Sequence, residues 1–149
     1  MTRSIVIRET ALSDLVKRCY DKGERRHKHV HSAPEPCFVV EHGNPKRVIG
    51  KCPRGMSAML LDRLINEAIP PAEDLSGGVF HKRLYVVHDG AVYETMSSDR
   101  GRSYHGYPYR GRLSSSTIGA LRRMAAAKGC LDGFERWVDE HIEPHGRRA

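Results

Sequence analysis

The chain has 149 residues, 39% hydrophobic and 29% charged, which excludes a disordered polar chain and fits one folded domain burying roughly 70% of its unfolded surface. Its net charge of +7 is local: residues 100–112 carry +4, residues 22–31 carry +3, and Arg147 with Arg148 carries +2, leaving −2 on all remaining side chains. Charge gathered in this way points to a defined anionic contact rather than to general solubility.

No eighteen apolar residues run together, and the opening MTRSIVIRET lacks the hydrophobic stretch of a secretory leader. Cys19, Cys37, Cys52 and Cys130 form no CxxC pair. Widely spaced cysteines without a leader read as reduced, partly buried thiols, so a cytoplasmic protein with no membrane contact is expected.

In chain order, the β-branched run at 5–7 predicts an edge strand. Thr10 caps a predicted helix through about Asp21, with Leu12, Leu15, Val16 and Cys19 on one stripe and Gly23 as its stop. Residues 24–36 are polar, basic and bounded by proline, and read as a loop. Strands are predicted over 37–41 and 46–51, joined across His42-Gly43-Asn44-Pro45. A second helix over about 57–68 shows Met59, Leu60, Leu64 and Ala68 on one face and ends at Pro70-Pro71.

The clearest hairpin follows, with strands over 83–87 and 91–96 around His88-Asp89-Gly90, since Asp-Gly supplies the positive φ that tight turns need. Residues 97–113 read as a second basic loop. A third helix runs from the capping hydroxyls of 114–116 to Gly129, with Ile118, Leu121, Met124 and Ala125 as its stripe. Asp132-Gly133-Phe134-Glu135 has the form of a capping box, opening a last helix lined by Phe134, Trp137, Val138 and Ile142 before Pro144. The order β-α-β-β-α-β-β-α-α describes a single α+β domain, an antiparallel sheet of two hairpins with three to four packed helices.

The segment RGRSYHGYPYRGR at 100–112 is the most informative stretch, with four arginines, three tyrosines, one histidine and no acid. Gly101, Gly106, Gly111 and Pro108 keep it out of regular helix. Arginine forks match phosphate oxygens, and tyrosine rings stack on bases. Arg100, Arg102, Arg110 and Arg112 are therefore expected to hold phosphates, and Tyr104, Tyr107 and Tyr109 to stack. Lys22, Arg25, Arg26 and Lys28 extend the basic track if folding brings the two segments together.

His105, between Arg102 and Arg110, is the one candidate catalytic residue, because imidazole exchanges protons near neutral pH. Among the carboxylates, Asp62 lies off the apolar face of its helix, Glu67 stands isolated, and Glu94 reads as a solvent-facing strand residue that could otherwise orient His105. His27, His29 and His31 alternate, and with Cys37 or Cys52 would make four metal ligands. The adjacent Arg25, Arg26 and Lys28 oppose a divalent cation, and the spacing matches no common zinc motif, so no metal and no cofactor is expected.

The leading expectation is a nucleic-acid-binding domain for RNA or single-stranded DNA. Two alternatives share the same basic patch. One is a metal-independent ribonuclease or toxin-type enzyme acting through His105; the other is an inhibitor or immunity-type module docking an acidic protein partner.

Overall fold

A computed structural model describes residues 18–20, 35–41, 47–74, 80–97 and 99–148. The strand predicted at 5–7, most of the first predicted helix, and Lys22, Arg25, Arg26, Lys28, His27, His29 and His31 lie outside the described residues.

The fold is α+β. Its centre is the hairpin of β4 (Arg83–His88) and β5 (Ala91–Met96), in register from Arg83 opposite Met96 to His88 opposite Ala91. Asp89 and Gly90 both take positive φ, 49° and 84°, the two-residue turn whose twist matches that of the strands. A third strand, β6 (Ser103–Pro108), runs antiparallel along β5, with Tyr107 opposite Glu94 and His105 opposite Met96. Residues 103–108 of the basic loop expected over 97–113 thus form a strand. Its glycines and proline exclude helix but not pleated pairing, and Pro108 sits at the strand end, where a missing donor is tolerated.

The strand β1 (Cys19–Tyr20) adds to β6 in parallel, so the helix predicted through Asp21 does not extend over these residues. Arg18 anchors this strand. Its guanidinium donates to the carbonyls of Ile65 and Ala68 at 3.0 and 2.8 Å, satisfying acceptors that a helix end leaves open. The helix so capped is α1 (Ala58–Glu67), whose N-cap is Ser57, accepting from the Leu60 amide at 3.1 Å.

The sheet is covered on both sides. Leu84, Val86, Ala91, Tyr93 and Tyr104 face α1 through Leu64, Ile65 and Ala68. On the opposite face Tyr85, Val87 and Val92 pack on Ile118, Leu121 and Ala125 of α2 (Ser115–Ala127) and on Phe134 of α3 (Leu131–Trp137). Ser114 caps α2 by accepting from the Thr117 amide at 3.1 Å, while its hydroxyl donates to Glu73 at 2.9 Å.

The capping box expected at α3 does not form: Cys130 occupies the N-cap without a side-chain bond, and Glu135 is drawn away by Arg122, which grips it at 3.0 and 3.1 Å. Beyond Trp137 the helix widens into a π turn over Val138–Ile142, then tightens to a 3-10 turn over Glu143–His145.

The other hairpin, β2 (Cys37–Glu41) and β3 (Arg47–Lys51), forms as predicted but is a separate antiparallel sheet rather than part of the central one. It crosses the end of β6, where a Cβ on Gly50 would stand 2.6 Å from the Pro108 carbonyl oxygen. A short parallel pairing of β7 (Leu113–Ser114) with β8 (Arg147–Arg148) ties down the chain end. Cys37, Cys52 and Cys130 are free thiols. Among the described residues no helix is long and apolar enough to cross a membrane.

Candidate nucleic-acid interface

The arginines of 100–112 divide into two pairs at opposite ends of β6. Arg100 and Arg102 are exposed on the β5–β6 turn, where Arg100 and Gly101 take φ of 62° and 87°. Asp99 closes this turn by accepting from the Ser103 hydroxyl, the Ser103 amide and the Ser97 hydroxyl at 2.7, 2.9 and 2.8 Å. Those bonds, the ones from Ser103 above all, hold the Asp99 carboxyl down at about 2. A Cβ on Gly101 would stand 2.6 Å from the Phe80 Cβ, so the turn is packed as well as bonded.

At the far end Arg110 and Arg112 are exposed. The Arg110 guanidinium lies 5.9 Å from the Phe38 ring centre, and its Nη2 is 3.3 Å from His145 Nε2. Between the pairs, the strand at ~3.4 Å per residue spans about 20 Å.

Of the three tyrosines, one is not where stacking requires it. Tyr104 is 2% exposed, on the α1 side of the sheet, and its hydroxyl donates to the His81 carbonyl at 2.7 Å. Its ring has no open face, which corrects the role expected for it. Tyr107 is half-buried and donates to Glu94 Oε1. Tyr109 packs edge-on against Tyr85, with ring centres 5.3 Å apart, and donates to the Arg112 carbonyl at 3.0 Å. Strand alternation explains the split, sending Tyr104 to one face and Tyr107 to the other.

Glu94 is a second correction. It is 5% exposed rather than facing solvent, because both faces of the central strand are covered. Tyr85 donates to its Oε2 at 2.7 Å and Tyr107 to its Oε1, so each oxygen has a phenol. Burial, with the charge of Glu94 and its hydrogen bonds, pushes both phenols above their ordinary range, and Arg83 pulls them partly back. Both therefore stay protonated and donating.

His105 is exposed, two residues before Tyr107 and opposite Met96, which is in turn opposite Arg83. Arg83, Met96 and His105 thus form one row across the sheet, and Tyr85, Glu94 and Tyr107 the next row on the same face. Sequence reasoning had found His105 and Glu94 but missed Arg83 and Tyr85. A two-residue turn at Asp89-Gly90 places Tyr85 opposite Glu94, so the hairpin itself carried the signal.

A further group that went unseen lies beside Arg110. Phe38, Trp137 and His141 form a ring cluster with centres 4.3 to 5.6 Å apart, and the Trp137 Nε1 donates to the Tyr109 carbonyl at 2.9 Å. Burial pulls the His141 imidazole below its ordinary value, with Arg110 and His145 adding to this and Glu140 opposing it.

An open depression of about 280 Å³ lies at the β4–β5 turn and is lined by Arg63, Glu67, His88, Asp89, Lys128 and Cys130. Its cations are already engaged, since Lys128 donates to Glu67 and to the Val87 carbonyl at 2.6 and 2.7 Å and Arg63 lies 3.7 Å from Glu67. Asp62 is exposed on the outside of α1. Among the described residues, no three His, Cys, Asp or Glu side chains gather as a metal site. Compared with protein-family models, curated proteins and solved structures, the chain matches none of them.

Proposed function

We propose that this chain is a cytoplasmic nucleic-acid-binding protein that takes single strands, RNA or DNA, along β6. The observation that carries this reading is the pairing of exposed arginines at both ends of that strand, Arg100 with Arg102 and Arg110 with Arg112. A single-stranded backbone offers phosphates at intervals along such a track, and exposed guanidiniums hold them in bidentate fashion. Since Tyr104 is buried, ring contacts fall to Phe38, Trp137 and His141 beside Arg110, aromatic groups on which sequence-tolerant stacking can occur. Duplex reading is disfavoured, because Arg122 on α2 is spent on Glu135 and the helix offers no cationic row for a groove.

The experiment is a titration of labelled single-stranded RNA, single-stranded DNA and duplex DNA at several salt concentrations. Binding of both single strands that weakens steeply with salt supports the reading, and absence of binding at low ionic strength overturns it.

A further inference from the structure

A buried carboxylate held only by phenols is costly, because removing charge from water is repaid poorly by neutral donors. Glu94 is 5% exposed and occupies the middle of the central sheet, yet among the described residues the bonds to its oxygens come from Tyr85 and Tyr107. A nonpolar residue there would continue the core of Val87 and Val92 on the same face. The row one step along the sheet explains what such a carboxylate can serve. It brings His105 and Arg83, both exposed, to the two flanks of Met96, about 7 Å from the Glu94 row by strand rise. Arg83 stands two residues before Tyr85 on β4, on the same face of the sheet.

We propose that this end of the sheet face is an RNA-cleaving site, with His105 and Arg83 as its catalytic residues and Glu94, fixed by Tyr85 and Tyr107, as the positioning carboxylate in the next row of the same face. The inference rests on the binding reading above and assigns a reaction to it. Its chemistry is transesterification within RNA. The 2′-oxygen forms a bond to the adjacent phosphorus while neutral His105 takes the 2′-hydroxyl proton. The bond from phosphorus to the 5′-oxygen then breaks, and the imidazolium returns the proton to that leaving oxygen. The products are a 2′,3′-cyclic phosphate and a 5′-hydroxyl, with no net change in protons or electrons. Arg83 faces the charge that grows on the phosphoryl oxygens. Glu94, held by Tyr85 and Tyr107, is a fixed carboxylate in the adjacent row, about 7 Å along the same face by strand rise.

The test uses the full chain, a labelled single-stranded RNA and the DNA of the same sequence, with chelator present throughout, and reads binding and cleavage separately. The expected result is multiple-turnover cleavage of the RNA alone, ending in cyclic phosphate, with both strands bound. His105→Ala should lose about 100-fold or more in kcat with RNA affinity unchanged, and imidazole in solution should restore part of the rate. Glu94→Gln should lower kcat at unchanged KM, with its melting point recorded beside it. Binding without cleavage, DNA cleavage, or cleavage undiminished in His105→Ala overturns the catalytic proposal and leaves the binding reading intact. Failure to bind either strand overturns the binding reading itself.

Discussion

The Tyr85 hydroxyl donates to Glu94 Oε2 at 2.7 Å across directly opposed positions of β4 and β5, while Tyr107 on β6 reaches the other oxygen. Three strands are thereby joined by side chains as well as by their backbone ladder. Tyr85→Phe removes one donor and leaves a buried oxygen without its phenol, so a loss of about 2–3 kcal/mol is expected in urea unfolding. Tyr107→Phe should cost less, since water reaches its half-buried end. Because both phenols share one carboxylate, the double variant should depart measurably from the sum of the two, which a double-mutant cycle reads directly.

The binding reading predicts a numerical salt effect. Each phosphate contact on a single strand contributes about 0.7 to the slope of log affinity against log salt. Arg102→Ala with Arg110→Ala removes one exposed cation from each end of β6. The slope should fall by about 1.4 while the melting temperature stays within a few degrees. A slope equal to that of the unaltered chain would show that these arginines do not touch phosphate.

His141 gives a pH prediction whose sign follows from its lowered value in the folded state. The unfolded chain takes up this proton first as pH falls, so the contribution is fully present above the ordinary histidine range and is lost on acidification. The groups set against the ring are Trp137, Phe38, Arg110, His145 and Glu140. Thermal melts at pH 7.5 and 5.5 should show destabilisation at the lower pH, and His141→Phe should reduce that difference. An identical pH dependence in the variant would exclude His141 as its source.

Trp137 joins both cores, packing against the clusters on either face of the sheet and donating to the Tyr109 carbonyl. Trp137→Ala should cost about 3–5 kcal/mol, the range for deleting a large core aromatic. A change of only a degree or two in melting temperature would show the C-terminal helix to be peripheral.

The sequence disclosed most where local chemistry decides structure. Asp89-Gly90 specifies its own turn, Ser114 caps the helix that follows it, and Ile118, Leu121 and Ala125 of the third predicted helix's stripe are fully buried. It disclosed less where a partner decides. Residues 103–108 form a strand because β5 offers an edge, which no propensity within Ser-Tyr-His-Gly-Tyr-Pro announces. Glu94 looked outward by alternation, and only helices on both faces of the sheet make the alternation irrelevant. Within the candidate site, the arginines were legible as exposed charge and His105 as an imidazole among them. The rows that set Arg83 beside His105 and Tyr85 beside Glu94 depend on register across three strands, a property of pairing rather than of any single segment.

The turn between β4 and β5 has one more consequence. A Cβ on Gly90, at φ 84°, would stand 2.8 Å from the backbone carbon of Gly133, so the hairpin tip and the start of α3 touch main chain to main chain. Two glycines more than forty positions apart therefore act as a key and its lock. Any side chain at that position of the tip would run into the backbone of Gly133 and Phe134, so the seat of the last helix depends on a bare hairpin tip.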